Sequence, residues 1–482
     1  MASELLREHL EVKNREAGLS DTVRAAVEAI PEIVWNDLAP SLRTGARERG
    51  FIIQQEGGEQ VVIPIGLTPW VVSSEAARYL RGFFRGIRRT VNRILAHYFE
   101  DPALQAILPL REAELAWLKA SCSEGIPRLQ TIFERFDTNL GFRVEEQLRT
   151  FQIIEFNSVG VGCVYLMPAA TELLDERLIP HLKESLNGIT LSRPSDYRQL
   201  LLDEIQKHAE AIQRPGCGIA LVERRETVPG GVDEFARMAP YFTARGFPTV
   251  EGDPREIEHR GGEFFLKGTP VDVVYRDFQL EEVVSIKTHG GSVEGIEAAF
   301  ADNRVISTVF GEFDHKSLCE LLTSPDFEKY FTLQEIKAAR SHVPWTRLVE
   351  ERTTKDSEGR EVDLLPFARE RREKLVLKPN RSYGGEGVIV GEIVSQSEWE
   401  AALQQAVAKP RTFVVQEKVP IQKAQVMILK GSGRPRLEEQ YATLSVTATP
   451  RGVAFVGRCS PDPVVNITQG GAIVPVFLVG KK

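Results

Sequence analysis

Leu375 to Gly391 reads LVLKPNRSYGGEGVIVG, and no other stretch limits the fold of this chain so strongly. An apolar run ends in Lys378, a glycine-rich turn follows, and a second apolar run leaves it. The pattern predicts a strand, a flexible loop and a second strand. The loop is Ser382-Tyr383-Gly384-Gly385-Glu386-Gly387. Residues without Cβ let backbone N–H groups lie close to a polyphosphate, and a lysine at the strand end adds a point charge to the same phosphates. A Walker loop opens a helix and carries G-x-x-x-x-G-K-[ST], whereas this loop returns to a strand. The competing reading is an ordinary hairpin turn.

At 482 residues the chain is too long for one core, and about two to four domains are expected. A hydrophobic content of 42% with 27% charged residues describes a soluble globular protein. The net charge of −8 argues against a nucleic-acid binder. The start, MASELLREHLEVKN, is charged and lacks the apolar segment of a signal peptide. No apolar run approaches the roughly 18–20 residues that span a bilayer, so no membrane partner is expected. Cys122, Cys163, Cys217, Cys319 and Cys459 are scattered without C-x-x-C spacing, which speaks against disulfides and zinc and for a cytoplasmic location.

The pattern along the chain predicts an α/β (α+β) protein. Residues 1–120 read as mainly helical, with a long amphipathic helix over 74–99 whose Arg85, Arg88 and Arg89 form a solvated face. Residues 121–195 carry the strands IFERFD and TFQIIEFN. Residues 196–300 open in a helix over 193–214 and continue as a small α/β unit. Its order of GIALVE, a helix, FPTVEG, FFLKG and VDVVYR predicts a partly parallel sheet. In residues 301–482, Thr332 and Glu335 form a capping box, Thr353–Arg360 is a polar loop, and the glycine-turn strands follow.

Four constellations carry chemistry. Glu155 and Asn157 are two apart on one strand and so share a face, and Asp137 at the end of ERFD adds a second carboxylate from a neighbouring strand. Hard oxygen donors of this kind suit Mg²⁺, which takes one or two carboxylates plus substrate phosphates. Lys378 and the glycine loop form the second. In PRTFVVQEKVP, Gln416 and Glu417 follow apolar strand residues and are placed to read an adenine edge; a buried strand running into a turn is the equal alternative. Arg458 closes an apolar strand, and Arg135 shares a face with Asp137. Guanidinium groups there suit a phosphoryl group or a carboxylate. Arg276 is a candidate carboxylate contact, against a structural salt bridge to Asp272 or Asp277.

Together these segments resemble the ATP-grasp superfamily in a circularly permuted form, as in glutathionylspermidine synthetases and their relatives. The usual order puts the lysine and glycine loop first and the E-x-N strand last; here Asp137, Glu155 and Asn157 precede the loop. VDVVYRDF resembles the preATP-grasp region, and FGEFDHKSLCELL resembles the helix that brings a first nucleotide lysine, here Lys316. The likeness runs from about Thr131 to the C-terminus. No amidase domain is present, and the Gly384–Gly387 loop and Gly470-Gly471 depart from the synthetases.

The resemblance implies Mg²⁺ on Asp137, Glu155 and Asn157. It places ATP against Lys316, Lys378, Ser382, Gly384, Gly385, Gln416, Glu417 and Val419, and gives Arg135 and Arg458 charge-stabilising roles. The expected activity is ATP- and Mg²⁺-dependent ligation of a small-molecule or peptide carboxylate to an amine through an acylphosphate. A phosphotransferase and a non-catalytic nucleotide-binding scaffold are the alternatives. A homodimer is the base-rate expectation. His315 is read as packing.

Overall fold

The computed structural model describes residues 18–54, 60–122, 130–186, 188–216, 218–226, 232–467 and 470–481. The opening segment read for a signal peptide and Cys217 lie outside them. The fold is α/β, with sheets of two different kinds around one site.

The central sheet has seven strands, in the order Lys423–Leu429, Ile65–Gly66, Ala472–Val474, Val453–Ser460, Arg436–Ala448, Arg135–Leu140 and Ile153–Asn157. Strands from the first third of the chain therefore pair directly with strands from its end, Phe136 standing opposite Val446 and Leu140 opposite Leu444. The helix Ser74–Leu95 packs on the Arg436–Ala448 strand. Its N-cap Ser73 accepts a hydrogen bond from the Ala76 N–H at 3.1 Å, and Leu80, Phe84, Ile87, Val91 and Ile94 form the buried stripe.

A four-stranded antiparallel sheet carries the glycine turn, in the order Thr346–Leu348, Phe413–Glu417, Leu375–Pro379 and Ile389–Val390. Helices Leu364–Glu370 and Gln396–Val407 cover it through Trp399, whose indole N–H donates to the Ala368 carbonyl at 3.0 Å. This core, with Trp345, Leu375, Leu377, Leu403 and Val415, is separate from the main one.

A third sheet is wholly parallel, in the order Val305–Ile306, Val273–Asp277, Ile219–Glu223 and Thr249–Gly252. Its apolar strands are buried from both sides, as parallel sheets require.

Several expectations need correction. The N-terminal region is not simply helical: Ile65–Gly66 enters the central sheet and Trp70–Ser73 pairs with Val476–Lys481. The basic face of the Ser74–Leu95 helix is not all solvated, because Arg88 donates to Glu134 Oε2 at 2.6 Å and Ser158 Oγ at 3.0 Å. The strand read as IFERFD is instead Arg135–Leu140, so Asp137 lies inside it rather than at its end. The helix over 193–214 is Tyr197–Ala211, opening after its N-cap Asp196. Thr353–Arg360 is not a loop alone but part of a hairpin, Thr353–Lys355 against Glu361–Asp363, closed where the Asp356 carboxylate accepts the Glu358 and Arg360 N–H groups.

Candidate active site

The antiparallel pair Arg135–Leu140 and Ile153–Asn157 sets the centre of the site. Its register puts Asp137 opposite Glu155 and Arg135 opposite Asn157, so four polar side chains meet on one face. Arg135 Nε donates to Asp137 Oδ1 at 2.7 Å, and Arg458 Nη2 lies 2.9 Å from Asp137 Oδ2. Burial alone would raise the Asp137 carboxyl, but the two guanidinium groups outweigh it and hold it well below the usual carboxylate range. Arg458 also donates to Ser445 Oγ at 2.8 Å. Its cross-strand partner is Thr443, a buried residue whose hydroxyl has no hydrogen-bond partner among the described residues. The Asn157 amide nitrogen is buried and unpartnered in the same way.

The glycine turn faces this centre. Lys378 is 7% exposed, and its ammonium donates to Gln416 Oε1 at 2.6 Å. Burial pushes Lys378 down to about 8, Glu155 opposing the shift and Lys316 adding to it. Lys316 lies in the turn before the helix Leu318–Thr323, not on the expected helix. It donates to the Ser382 carbonyl at 2.5 Å and stands 3.7 Å from Glu155 Oε1, so it ties the glycine loop to the Glu155 strand. Gly384, Gly385 and Gly387 have φ of +69°, +77° and +70°, which only glycine adopts freely. The Asn466 amide donates to the Gly384 carbonyl at 2.7 Å, folding the loop against the segment that follows Arg458.

One cavity of about 1080 Å³ joins these elements. Arg135, Asp137, Glu155, Asn157, Lys316, Lys378, Gly384, Gly385, Gln416, Glu417, Val419 and Arg458 all line it; Ser382 reaches the site only through its carbonyl. Gln416 differs from expectation. It is 1% exposed, and while its oxygen accepts from Lys378, its amide nitrogen donates to Thr346 Oγ1 at 3.0 Å. The side chain therefore orients Lys378 and is not free to read a base. Glu417 accepts from Ser357 Oγ at 2.6 Å at the rim.

Glu155 and Asn157 each carry a side-chain oxygen of the kind a hard divalent cation takes, while the unpartnered Asn157 Nδ2 is a hydrogen-bond donor suited to an acceptor such as a phosphate oxygen. Asp137 fits less well as a third ligand, because both its oxygens already accept from arginine. Among the described residues no group of three His, Cys, Asp or Glu side chains is placed to hold a metal.

Arg276 is not a cavity residue. It is fully buried, donates to the carbonyls of Ser307, Phe278 and Thr308, and ion-pairs with Glu312 rather than Asp272 or Asp277. Strand alternation explains this: Asp277 faces the cavity, so Arg276 must face away. His315 is buried, neither ring nitrogen has a partner among the described residues, and burial pushes it well below its ordinary value. Residues that sequence reasoning passed over include Thr443, Arg381, Glu223, Glu234 and Asp277, all lining the cavity. Glu223 and Asp277 had a usable signal, since each ends an apolar strand of a parallel unit, the edge where such sheets bind ligands.

No protein-family model matches the chain. It is similar to an uncharacterized protein of Mycobacterium tuberculosis, 27% identical over 470 residues, covering 91% of this chain and 79% of that one. An uncharacterized protein of Mycobacterium leprae is 24% identical over 474 residues, covering 91% and 78%. Among solved structures, a glutathione synthetase-like effector from Globodera pallida in its apo form superposes with a TM-score of 0.59 at 11% identity, over 94% of this chain and 98% of that chain. The two share a fold.

Proposed function

We propose that the protein is an ATP-dependent carboxylate–amine ligase of circularly permuted ATP-grasp type, forming an amide through an acylphosphate and releasing ADP. The observation that carries this reading is the shared cavity, in which Glu155 and Asn157 from one sheet face Lys316 and Lys378 beside a glycine loop from another. The fold shared with a glutathione synthetase-like protein supports it.

ATP is the first substrate. The Gly384–Gly387 backbone and the two lysines bind its phosphates, and Gln416 holds the Lys378 ammonium in place. A magnesium ion on Glu155 and Asn157 would neutralise charge on the β- and γ-phosphates. Arg458 and Arg135, aligned by Asp137 between them, bind the substrate carboxylate and stabilise the charge that shifts as the phosphoryl group moves. The acylphosphate is then attacked by the amine. Closure of the glycine loop on the 463–467 segment excludes water, which would otherwise hydrolyse the intermediate.

The test is ADP formation from ATP and Mg²⁺ with panels of carboxylates and amines, read alongside Lys378→Met. ADP release that needs both a carboxylate and an amine is expected. A stable phosphorylated product regardless of amine would make the protein a phosphotransferase. Absence of ATP binding would overturn both.

A further inference from the structure

Glu223 and Asp277 are the last residues of the neighbouring parallel strands Ile219–Glu223 and Val273–Asp277, and the register sets them side by side. Both line the cavity at the sheet's C-terminal edge. The 159–163 segment touches both Asp277 and Arg135. A Cβ on Gly160 would fall 2.2 Å from Asp277 Oδ1, and the Gly162 carbonyl accepts from Arg135 Nη1 at 3.1 Å.

Nearby acids are committed elsewhere. Glu282 pairs with Arg224 at 2.7 Å, and the Glu234 carboxylate accepts the N–H groups of Cys163, Tyr165 and Leu166. Neither Glu223 nor Asp277 has an ion pair or a side-chain hydrogen bond among the described residues. A second, independent feature points the same way. Tyr275, two residues before Asp277 and on the same strand face, is 2% exposed, and its hydroxyl has no partner among the described residues. Asp277 is the foremost charge acting on that hydroxyl, with Tyr197 and Glu234 next. Two unpaired carboxylates on the cavity wall, with an orphan hydroxyl buried on the same strand face, are complementary to a cation with N–H donors.

We propose that Glu223 and Asp277 seat the ammonium group of the amine substrate and take the proton it must lose before attack. The inference rests on the ligase reading and names the chemical class of its second substrate: a primary ammonium, not a neutral amine. Burial and the charges of Asp277, Asp233, Glu234 and Glu251 push Glu223 up to about 8. Burial, Glu282 and Glu234 push Asp277 up to about 6, with Arg276 opposing. Like-charged neighbours titrate as a pair, and a bound cation relieves their repulsion. In the step itself, R–NH₃⁺ gives one proton to the carboxylate pair. The freed nitrogen lone pair forms the C–N bond while the C–O bond to phosphate breaks. The second N–H proton leaves with the phosphate.

The test uses the full chain, wild type, Glu223→Gln and Asp277→Asn. In a ligand-observed NMR titration with n-butylammonium, each variant is expected to bind about tenfold more weakly, one lost charge contact being of order 1.4 kcal/mol, with ATP affinity unchanged. Wild-type binding of n-butylammonium by both variants would overturn the proposal, as would an equal loss of ATP affinity. The second readout compares ADP release driven by n-butylamine with release driven by hydroxylamine, which is uncharged at neutral pH. The variants are expected to lose the first and keep the second. Equal loss of both would assign the carboxylates to the nucleotide step and overturn the proposal. Failure of the wild type to release ADP with any acid would sink the ligase reading, while the titration would still judge the ammonium seat.

Discussion

Lys378 is a lysine whose charge is conditional. Burial pushes it down to about 8, and a triphosphate binds its protonated form. ATP affinity is therefore expected to be flat below about pH 8 and to fall above it, since deprotonation removes the charge that the phosphates attract. Dissociation constants at pH 7, 8 and 9 check this, and a flat profile that persists in Lys378→Met would remove the lysine from the nucleotide site. Asp137 has a different burden, sitting between two guanidinium groups. Asp137→Asn leaves both arginines buried without their counter-charge, and a loss of about 3 kcal/mol is expected, measurable by urea unfolding. A loss below about 1 kcal/mol would mean that solvent already screens the cluster. At this scale much was legible: alternation in RFD puts Arg135 and Asp137 on one face of their strand, and alternation in EFN does the same for Glu155 and Asn157. What escaped was the partner of each side chain. Gln416 looked like a base-reading residue because nothing in VVQEK says that Lys378 stands diagonally across the strand pair from it.

Among the elements, the glycine loop is the one whose backbone carries function. Gly385 has φ +77°, and a Cβ there would lie 2.6 Å from Val464 Cγ1. Gly385→Ala is expected to cost about 1–2 kcal/mol of local strain, lifting the loop from the 463–467 segment. ATP affinity should drop roughly five- to thirtyfold, with little change in the thermal midpoint because the loop contributes little to either core. An unaltered affinity would show that the loop does not touch the nucleotide. The strand, loop and strand were readable because turn chemistry is local. The capping box at Thr332 and Glu335 was readable for the same reason, and both reciprocal bonds are present. The hairpin at 353–363 was misread as a loop because its two strands are three residues each and show no periodicity to detect.

Over the whole molecule, the site lies between two cores that do not merge. The Trp399 cluster supports Lys378, while the main core supports Glu155 and Arg458. A nucleotide held by both sides should slow amide hydrogen exchange in the Leu375–Val390 hairpin and the Ile153–Asn157 strand together on addition of MgATP. Protection confined to one side would argue that the two faces do not share a ligand.

From the chain alone came the local grammar: an α/β protein, a glycine turn beside a lysine, and a carboxylate–amide strand. Periodicity and turn chemistry act over a few residues, so a sequence displays them. Pairing of residues 135–140 with 436–448, capture of Asp137 by Arg458, and the meeting of Glu223 with Asp277 belonged to the tertiary structure. Those contacts depend on strand order and register across hundreds of residues, where one sheet edge is chemically much like another until the cores pack.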